Sequence, residues 1–267
     1  NPHRRAEAGR RNLAPLSAGF GVPQWVFRQT TYAFAAEGRI ACSWIDLGVG
    51  GFGVLEQGGV KSIENGYSSF SQIVAGGDDA FFVAGSATAP PAIIRQPLDG
   101  DAPEVLRTSI DVPVDPAWFS VPQTLEFPTE GDRNAYAFYY PPFNPDFEGQ
   151  GGERPPLLVH CHGGPTGAVS TTLNLQTQYW TSRGWAVVDV NYGGSTGYGT
   201  EYRRRLNGNW GIIDVDDCVN AARHLVASDS ADPARVAIAG GSAGGYTTLC
   251  ALTMRNYFRA GANYFGL

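Results

Sequence analysis

Methionine is nearly absent from this 267-residue chain. It occurs once, at Met254, and the first residue is Asn1. A natural start is therefore expected to be missing, and the sequence to be a window on a longer chain. Cysteine is also scarce. Cys42, Cys161, Cys218 and Cys250 lie far apart, with neither zinc-ligand spacing nor the density of a disulfide scaffold. They are expected to be free buried thiols in a reducing compartment. Positive charge is not in excess: 19 Lys and Arg stand against 25 Asp and Glu, a net charge of −6. That gives no basic footprint for nucleic acid. No apolar run approaches the roughly 20 residues that span a bilayer, so no membrane partner is expected. Residues 1–18 carry four Arg and no apolar signal core. A cytoplasmic location is the expectation, with export left open by the missing start.

What is abundant is glycine, 35 residues or about 13%, against roughly 7% in average proteins. Between residues 25 and 109 glycine turns separate eight short candidate strands: 32–36, 39–45, 53–55, 60–63, 70–74, 80–84, 92–96 and 104–108. The turn signals include Glu37-Gly38, Gly58-Gly59, Gly76-Gly77-Asp78 and Asp99-Gly100-Asp101. A β-propeller blade has four strands, so this segment has the strand count of about two blades. Two blades cannot close a ring, a second indication of a window on a longer chain. Residues 110–122, with three prolines, read as a linker.

Beyond the linker the pattern changes. A hairpin is expected from Leu125–Phe127 and Ala135–Tyr140. Short apolar runs at Leu157–Cys161, Ala186–Asn191 and Arg235–Ala239 alternate with helical stretches at 173–183, around 203–205 and at 215–228. Continuous apolar strands separated by helices predict a parallel sheet covered on both faces. The expected organisation is an all-β segment over 1–115 and an α/β segment over 116–267.

The strongest chemical signal is Gly240-Gly241-Ser242-Ala243-Gly244, which fits G-x-S-x-G between an apolar strand and an apolar helix. That context is what a nucleophile elbow requires, because a strained turn holds the serine hydroxyl clear of the sheet edge. The competing reading is a plain tight turn or a phosphate loop, but no G-x-G-x-x-G or G-K-[ST] accompanies it. The second signal is His162-Gly163-Gly164-Pro165, at the end of an earlier strand. In such hydrolases this loop supplies one oxyanion N–H and the residue after the serine supplies the other. Ser242 is therefore the candidate nucleophile, and Ala243 and Gly164 are the candidate oxyanion donors. Tyr198 and Tyr246 are candidates to line a pocket near the serine. His160 and His162, two apart on one strand, raise a zinc alternative with no third ligand nearby; neither a metal nor another cofactor is called for. Asp214, Asp216 and Asp217 are read as helix-dipole acids. Arg203, Arg204 and Arg205 are read as a solvated face, with contact to an acidic substrate end as the alternative.

Residues from about 120 onward resemble the prolyl oligopeptidase family of serine peptidases, nearest its acylaminoacyl-peptidase and dipeptidyl-peptidase-like branch. The resemblance rests on Leu125–Pro128 with Tyr139–Pro142, His162–Pro165, Asn191–Gly199, Asn209–Gly211 with Asp214–Asp217, and Gly240–Tyr246. It implies that 116–267 is the N-terminal half of an α/β-hydrolase domain and that the all-β segment ahead of it is the last blades of a β-propeller, restricting entry to short or unfolded peptides, so a peptide is the expected partner. Two departures stand out: Gly193 replaces an arginine common in the family's glycine loop, and His162 replaces a tyrosine used by other branches.

A triad needs an acid and a base, in the order Ser, Asp or Glu, His. Residues 243–267 contain no His, Asp or Glu, and the four histidines, His3, His160, His162 and His224, all precede Ser242. The chain by itself is expected to be inactive and to expose apolar sheet edges. The alternatives are a carboxylesterase or lipase with the same elbow, and a non-catalytic binding protein of hydrolase fold.

Overall fold

The computed structural model describes residues 12–23 and 25–266. The N-terminal part forms two four-stranded antiparallel meanders. The first pairs β1 (Tyr32–Phe34), β2 (Ile40–Asp46), β3 (Val49–Glu56) and β4 (Gly59–Ser62) in that order; the second pairs β5 (Ser69–Gly76), β6 (Asp79–Ser86), β7 (Ala89–Pro97) and β8 (Glu104–Thr108). These are two propeller-type blades. Period-two alternation drives their packing: Ala80, Phe82 and Ala84 of β6 point inward and are buried. They join Ala41, Phe52, Val54, Ile73 and Ile94 in one core, with the rings of Phe52 and Phe82 4.6 Å apart.

Strand β3 is longer than the 53–55 expected. Its glycines are packing residues. A Cβ on Gly51 would lie 2.5 Å from the Trp44 ring, and one on Gly53 would lie 2.2 Å from the Lys61 carbonyl oxygen. The expected linker is partly fastened down. Phe119 is buried, and the backbone of Ser120 exchanges hydrogen bonds of 2.8 and 3.0 Å with the Gln178 side chain.

The remaining sheet has the order β14-β13-β11-β12-β10-β9. Strands β9 (Gln123–Thr129) and β10 (Arg133–Tyr140) make the expected hairpin; β11 (Leu157–Cys161), β12 (Ala186–Asn191), β13 (Val236–Gly241) and β14 (Ala260–Tyr264) run parallel to one another. Every residue of β12 is buried, as a strand covered on both faces requires. Helix α1 (Leu175–Thr181) packs on β12, α2 (Gly199–Arg204) follows the glycine loop, and α3 (Ile213–Ala227) and α4 (Ala243–Met254) pack on β11 and on each other. Asn174 caps α1 by accepting the Gln176 N–H at 2.9 Å, which starts the helix two residues later than expected. This is an α/β-hydrolase sheet preceded by all-β blades. All four cysteines are free and buried.

Candidate active site

Ser242 sits where β13 turns into α4. Its φ of 55° and ψ of −121° lie outside the regions open to an unstrained L-residue. The turn is held from both sides: Ser242 N–H donates to the Tyr264 carbonyl of β14 at 2.8 Å, and the Ser242 carbonyl accepts from Tyr246 N–H at 3.1 Å. The residue is exposed, and among the described residues its hydroxyl has no hydrogen-bond partner. Strain stored at such a position is maintained only by surrounding structure.

The glycines around it make that structure possible. A Cβ on Gly244 would lie 2.1 Å from the Cys161 carbonyl oxygen, and one on Gly240 would lie 2.3 Å from the Gly244 carbonyl oxygen. Both contacts are backbone, so helix and strand cross at a distance only glycine permits. Gly241 is different: its Cβ would meet nothing nearer than 3.6 Å.

Register brings the second loop to the serine. Cys161 of β11 pairs with Gly240 of β13, so the chain leaving β11 emerges beside the elbow. A Cβ on Gly163 would stand 3.5 Å from Ser242 Cβ. Gly164 follows, exposed, with φ of +132°. Among the described residues, neither the Gly164 N–H nor the Ala243 N–H donates to another group of the chain. Two unspent backbone donors and an exposed hydroxyl thus lie on adjoining loops at the carboxyl edge of the parallel strands. That edge is where open α/β sheets bind ligands.

His162 shapes this loop from below. It is 7% exposed, its ring stacks on Tyr192 with centroids 4.3 Å apart, and the Tyr192 hydroxyl donates to the His162 and Pro165 carbonyls at 3.0 and 3.1 Å. Its Nδ1 lies 2.7 Å from the Gly163 carbonyl and its Nε2 2.7 Å from the Ser195 hydroxyl. Ser195 is fully buried, so this Ser–His contact is closed to any substrate. Burial pushes the His162 pKa down to about 4, against the pull of the Gly163 carbonyl. The unfolded value is near 6.5. The lowered pKa gives stability that is present above pH 6.5 and lost as pH falls toward 4. From pH 7 to pH 5 the chain is expected to lose about 2 kcal/mol through this residue. Urea unfolding at both pH values, with His162→Gln as comparison, measures it: the variant should lack that increment.

His162 lies beyond the end of β11, whereas His160 Nδ1 contacts the buried Asp189 carboxylate of β12 at 2.8 Å. Burial lowers the His160 pKa, but the hydrogen bond and charge of Asp189 outweigh it, and the net shift is upward. No group of three or more His, Cys, Asp or Glu among the described residues is arranged to hold a metal.

Two of the expected helix-dipole acids do something else. Asp214 is fully buried and accepts from Gly211 N–H at 2.7 Å and Thr247 Oγ1 at 2.5 Å, tying the loop before α3 to α4. Asp217 accepts from Gly193 N–H at 2.7 Å and Thr129 Oγ1 at 2.5 Å, tying the glycine loop to β9. Only Asp216 is near the surface, paired with Arg255 at 2.7 Å. Gly193 is also walled in: a Cβ there would lie 2.8 Å from Ile213 Cγ2 and 3.3 Å from Arg205 Cβ. Arg205 itself donates to the Asn134 carbonyl at 2.7 Å, so it is a structural member of a run read as solvated. Tyr198 is not placed at the serine. Its hydroxyl accepts from Asn191 Nδ2 at 2.9 Å and its ring stacks on Tyr136 at 4.7 Å. Tyr246 packs against Trp210, centroids 4.9 Å apart.

A hollow of about 1600 Å³ touches neither Ser242 nor the two donors. It is lined by Pro155, Pro156, Val236, Ala237 and Ala260, at the amino ends of the parallel strands. Ser242 lies at the opposite end of the sheet.

The prolyl oligopeptidase family profile matches residues 171–267, which include the elbow. Among curated relatives, dipeptidyl aminopeptidase BIII of Pseudoxanthomonas mexicana is 38% identical over 112 residues, 42% of this chain and 16% of the relative. The acylamino-acid-releasing enzyme of Arabidopsis thaliana is 36% identical over 99 residues, 37% of this chain and 13% of the relative. The fold is also that of a puromycin-hydrolyzing peptidase of Mycobacterium tuberculosis, with a TM-score of 0.92 and 40% identity, covering 96% of this chain and 40% of that one. The chain therefore spans well under half the length of these relatives.

Proposed function

We propose that this chain carries the nucleophile and the oxyanion hole of a serine peptidase acting on short peptides, and that the triad acid and base lie on residues outside these 267. One observation carries the reading: an exposed serine in a strained strand–helix turn beside two free backbone N–H donors. Ser242 Oγ attacks the peptide carbonyl carbon while its proton passes to the base, and the carbonyl electron pair moves onto oxygen. Ala243 N–H and Gly164 N–H hold that oxyanion, each worth about 3 kcal/mol in the transition state. Collapse expels the amine, which takes the proton, and leaves an acyl-enzyme for water to cleave. None of the described histidines is within hydrogen-bond distance of Ser242, which supports a base from elsewhere.

The same reading divides the chain near residue 115 into blades and catalytic part, with the blades limiting which peptides enter. It takes the four buried free thiols as those of a reducing, cytoplasmic compartment. No described helix is long and apolar enough to cross a membrane.

The test uses the longer protein and the 267-residue chain side by side. The longer protein is expected to hydrolyse short peptide amides with a pre-steady-state burst, and the 267-residue chain to turn over neither amides nor esters. Hydrolysis by the short chain at a comparable rate would remove the argument for a missing base. Hydrolysis of acyl esters alone by the longer protein would make it an esterase.

A further inference from the structure

The chain that leaves the oxyanion loop at Pro165 runs on along the blades. Gly164 is packed against the start of this run: a Cβ there would lie 2.9 Å from the Thr166 nitrogen and 2.5 Å from the Gly167 nitrogen. A Cβ on Gly167 would lie 2.9 Å from the Gly163 carbonyl oxygen. All of these contacts are to backbone, so residues 163–167 form one tight turn, and a shift at Thr166 is felt at Gly164.

The catalytic part holds one edge of this turn. The Tyr192 hydroxyl donates to the His162 and Pro165 carbonyls, and Thr196 N–H donates to the Gly167 carbonyl at 2.9 Å. The blades hold the other edge through threonines. Trp25 Nε1–H donates to Thr166 Oγ1 at 3.1 Å, two residues from the Gly164 donor. The Ser68 and Thr171 hydroxyls lie 2.6 Å apart, and Leu173 N–H donates to the Ser86 carbonyl at 2.8 Å.

Both pins are themselves anchored. Gly19 and Ile45 of β2 exchange two backbone hydrogen bonds of 2.8 Å, and the Phe20 and Trp44 rings lie 6.0 Å apart, which fastens the segment carrying Trp25 to the first blade. Ser68 sits at the seam between the blades. Its carbonyl accepts from Gly50 N–H of β3 at 2.8 Å, and its N–H donates to the Gly85 carbonyl of β6 at 3.0 Å. Between the two pins a hollow of about 280 Å³ separates residues 167–170 from the first blade. The run from Thr166 to Thr171 thus bridges a hollow, and on the blade side it is held at its ends.

We propose that Trp25 and Ser68 are positioning residues for the oxyanion hole: by pinning Thr166 and Thr171 they set, from the blades, where the Gly164 N–H stands. The proposal rests on Ser242 being the nucleophile and Gly164 an oxyanion donor. The blades then contribute to the transition state without touching the substrate. A small displacement of such a donor is costly, because its worth depends on meeting the oxygen where charge develops.

The experiment uses the longer protein, with active sites counted by fluorophosphonate labelling. Wild type, Trp25→Phe, Thr166→Val, Thr166→Ser, Ser68→Ala and the Trp25→Phe/Thr166→Val double variant are compared on one peptide amide. Each is also inhibited with a peptide aldehyde, whose adduct with a serine places an oxygen in the oxyanion hole. Trp25→Phe, Thr166→Val and Ser68→Ala are each expected to lower kcat per active site by about fivefold, the worth of one hydrogen bond, with KM unchanged. Inhibition by the aldehyde should weaken by the same factor. The double variant should be no slower than its parents, because both remove the same bond. Thr166→Ser keeps the hydroxyl and should keep the wild-type kcat. Wild-type kcat in Trp25→Phe and Ser68→Ala, losses confined to KM, or a lower kcat with aldehyde inhibition unchanged would overturn the proposal. Wild type that takes up no fluorophosphonate defeats the nucleophile instead. Labelled wild type that the aldehyde inhibits no better than the matching alcohol defeats the oxyanion hole.

Discussion

Replacing Ser242 by alanine in the longer protein is expected to lower kcat on a peptide amide by about 10⁶-fold, with KM little changed. A loss of that order follows when a serine nucleophile is removed from an intact site. The two backbone donors survive the substitution, so a small residual rate above the uncatalysed reaction should remain. The variant should also fold. The Ser242 hydroxyl bonds to nothing among the described residues, and the contacts that hold the turn use its backbone N–H and carbonyl, which alanine keeps. The positive φ costs alanine about what it costs serine. Activity lost with the melting temperature kept is therefore the expected signature. A loss of only a few-fold would mean that another group attacks the carbonyl.

Replacing Gly244 by alanine should have the largest effect on stability. The added methyl would sit 2.1 Å from the Cys161 carbonyl oxygen and 2.7 Å from that of His162. Neither neighbour can swing away: Cys161 is paired with β12 and β13, and the His162 carbonyl accepts from the buried Tyr192 hydroxyl. Helix α4 must then lift off the sheet. Overpacking of a tight core costs roughly 1–3 kcal/mol when side chains can adjust. Against backbone on both sides the cost should reach about 3 kcal/mol or more, or roughly 6–12 °C in Tm at this size. Gly241→Ala is the internal control. Its nearest neighbour would be the Tyr264 carbonyl oxygen at 3.6 Å, so its melting temperature should stay within about 2 °C of wild type. Equal melting temperatures for the two variants would show that the elbow does not depend on close strand–helix contact.

The elbow was legible because everything it needs is local. An apolar strand, G-x-S-x-G and an apolar helix occur in one stretch, and φ of 55° at Ser242 is the geometry that order implies. The parallel sheet followed from apolar runs, and the blades from eight short strands separated by glycine turns. What escaped the sequence is long-range. An acid in the first turn of a helix is ordinary, and nothing near Asp214 or Asp217 indicates that Thr247, Thr129 and two loop amides will close over them. The Trp25–Thr166 bond joins residues 141 apart. Strand β3 was read short because glycine weakens strand propensity, while its glycines answer to Trp44 and Lys61 on neighbouring strands. His160 and His162 share a period-two spacing, but β11 ends at Cys161, and the last step of that spacing falls in a loop.

The central claim is that Ser242 is the nucleophile of an acyl-transfer site. Its most direct test is to treat the longer protein with a fluorophosphonate, digest it and locate the adduct by mass spectrometry. A single adduct on Ser242, abolished in Ser242→Ala, is the result expected. An adduct on another serine, or undiminished labelling of Ser242→Ala, would contradict it.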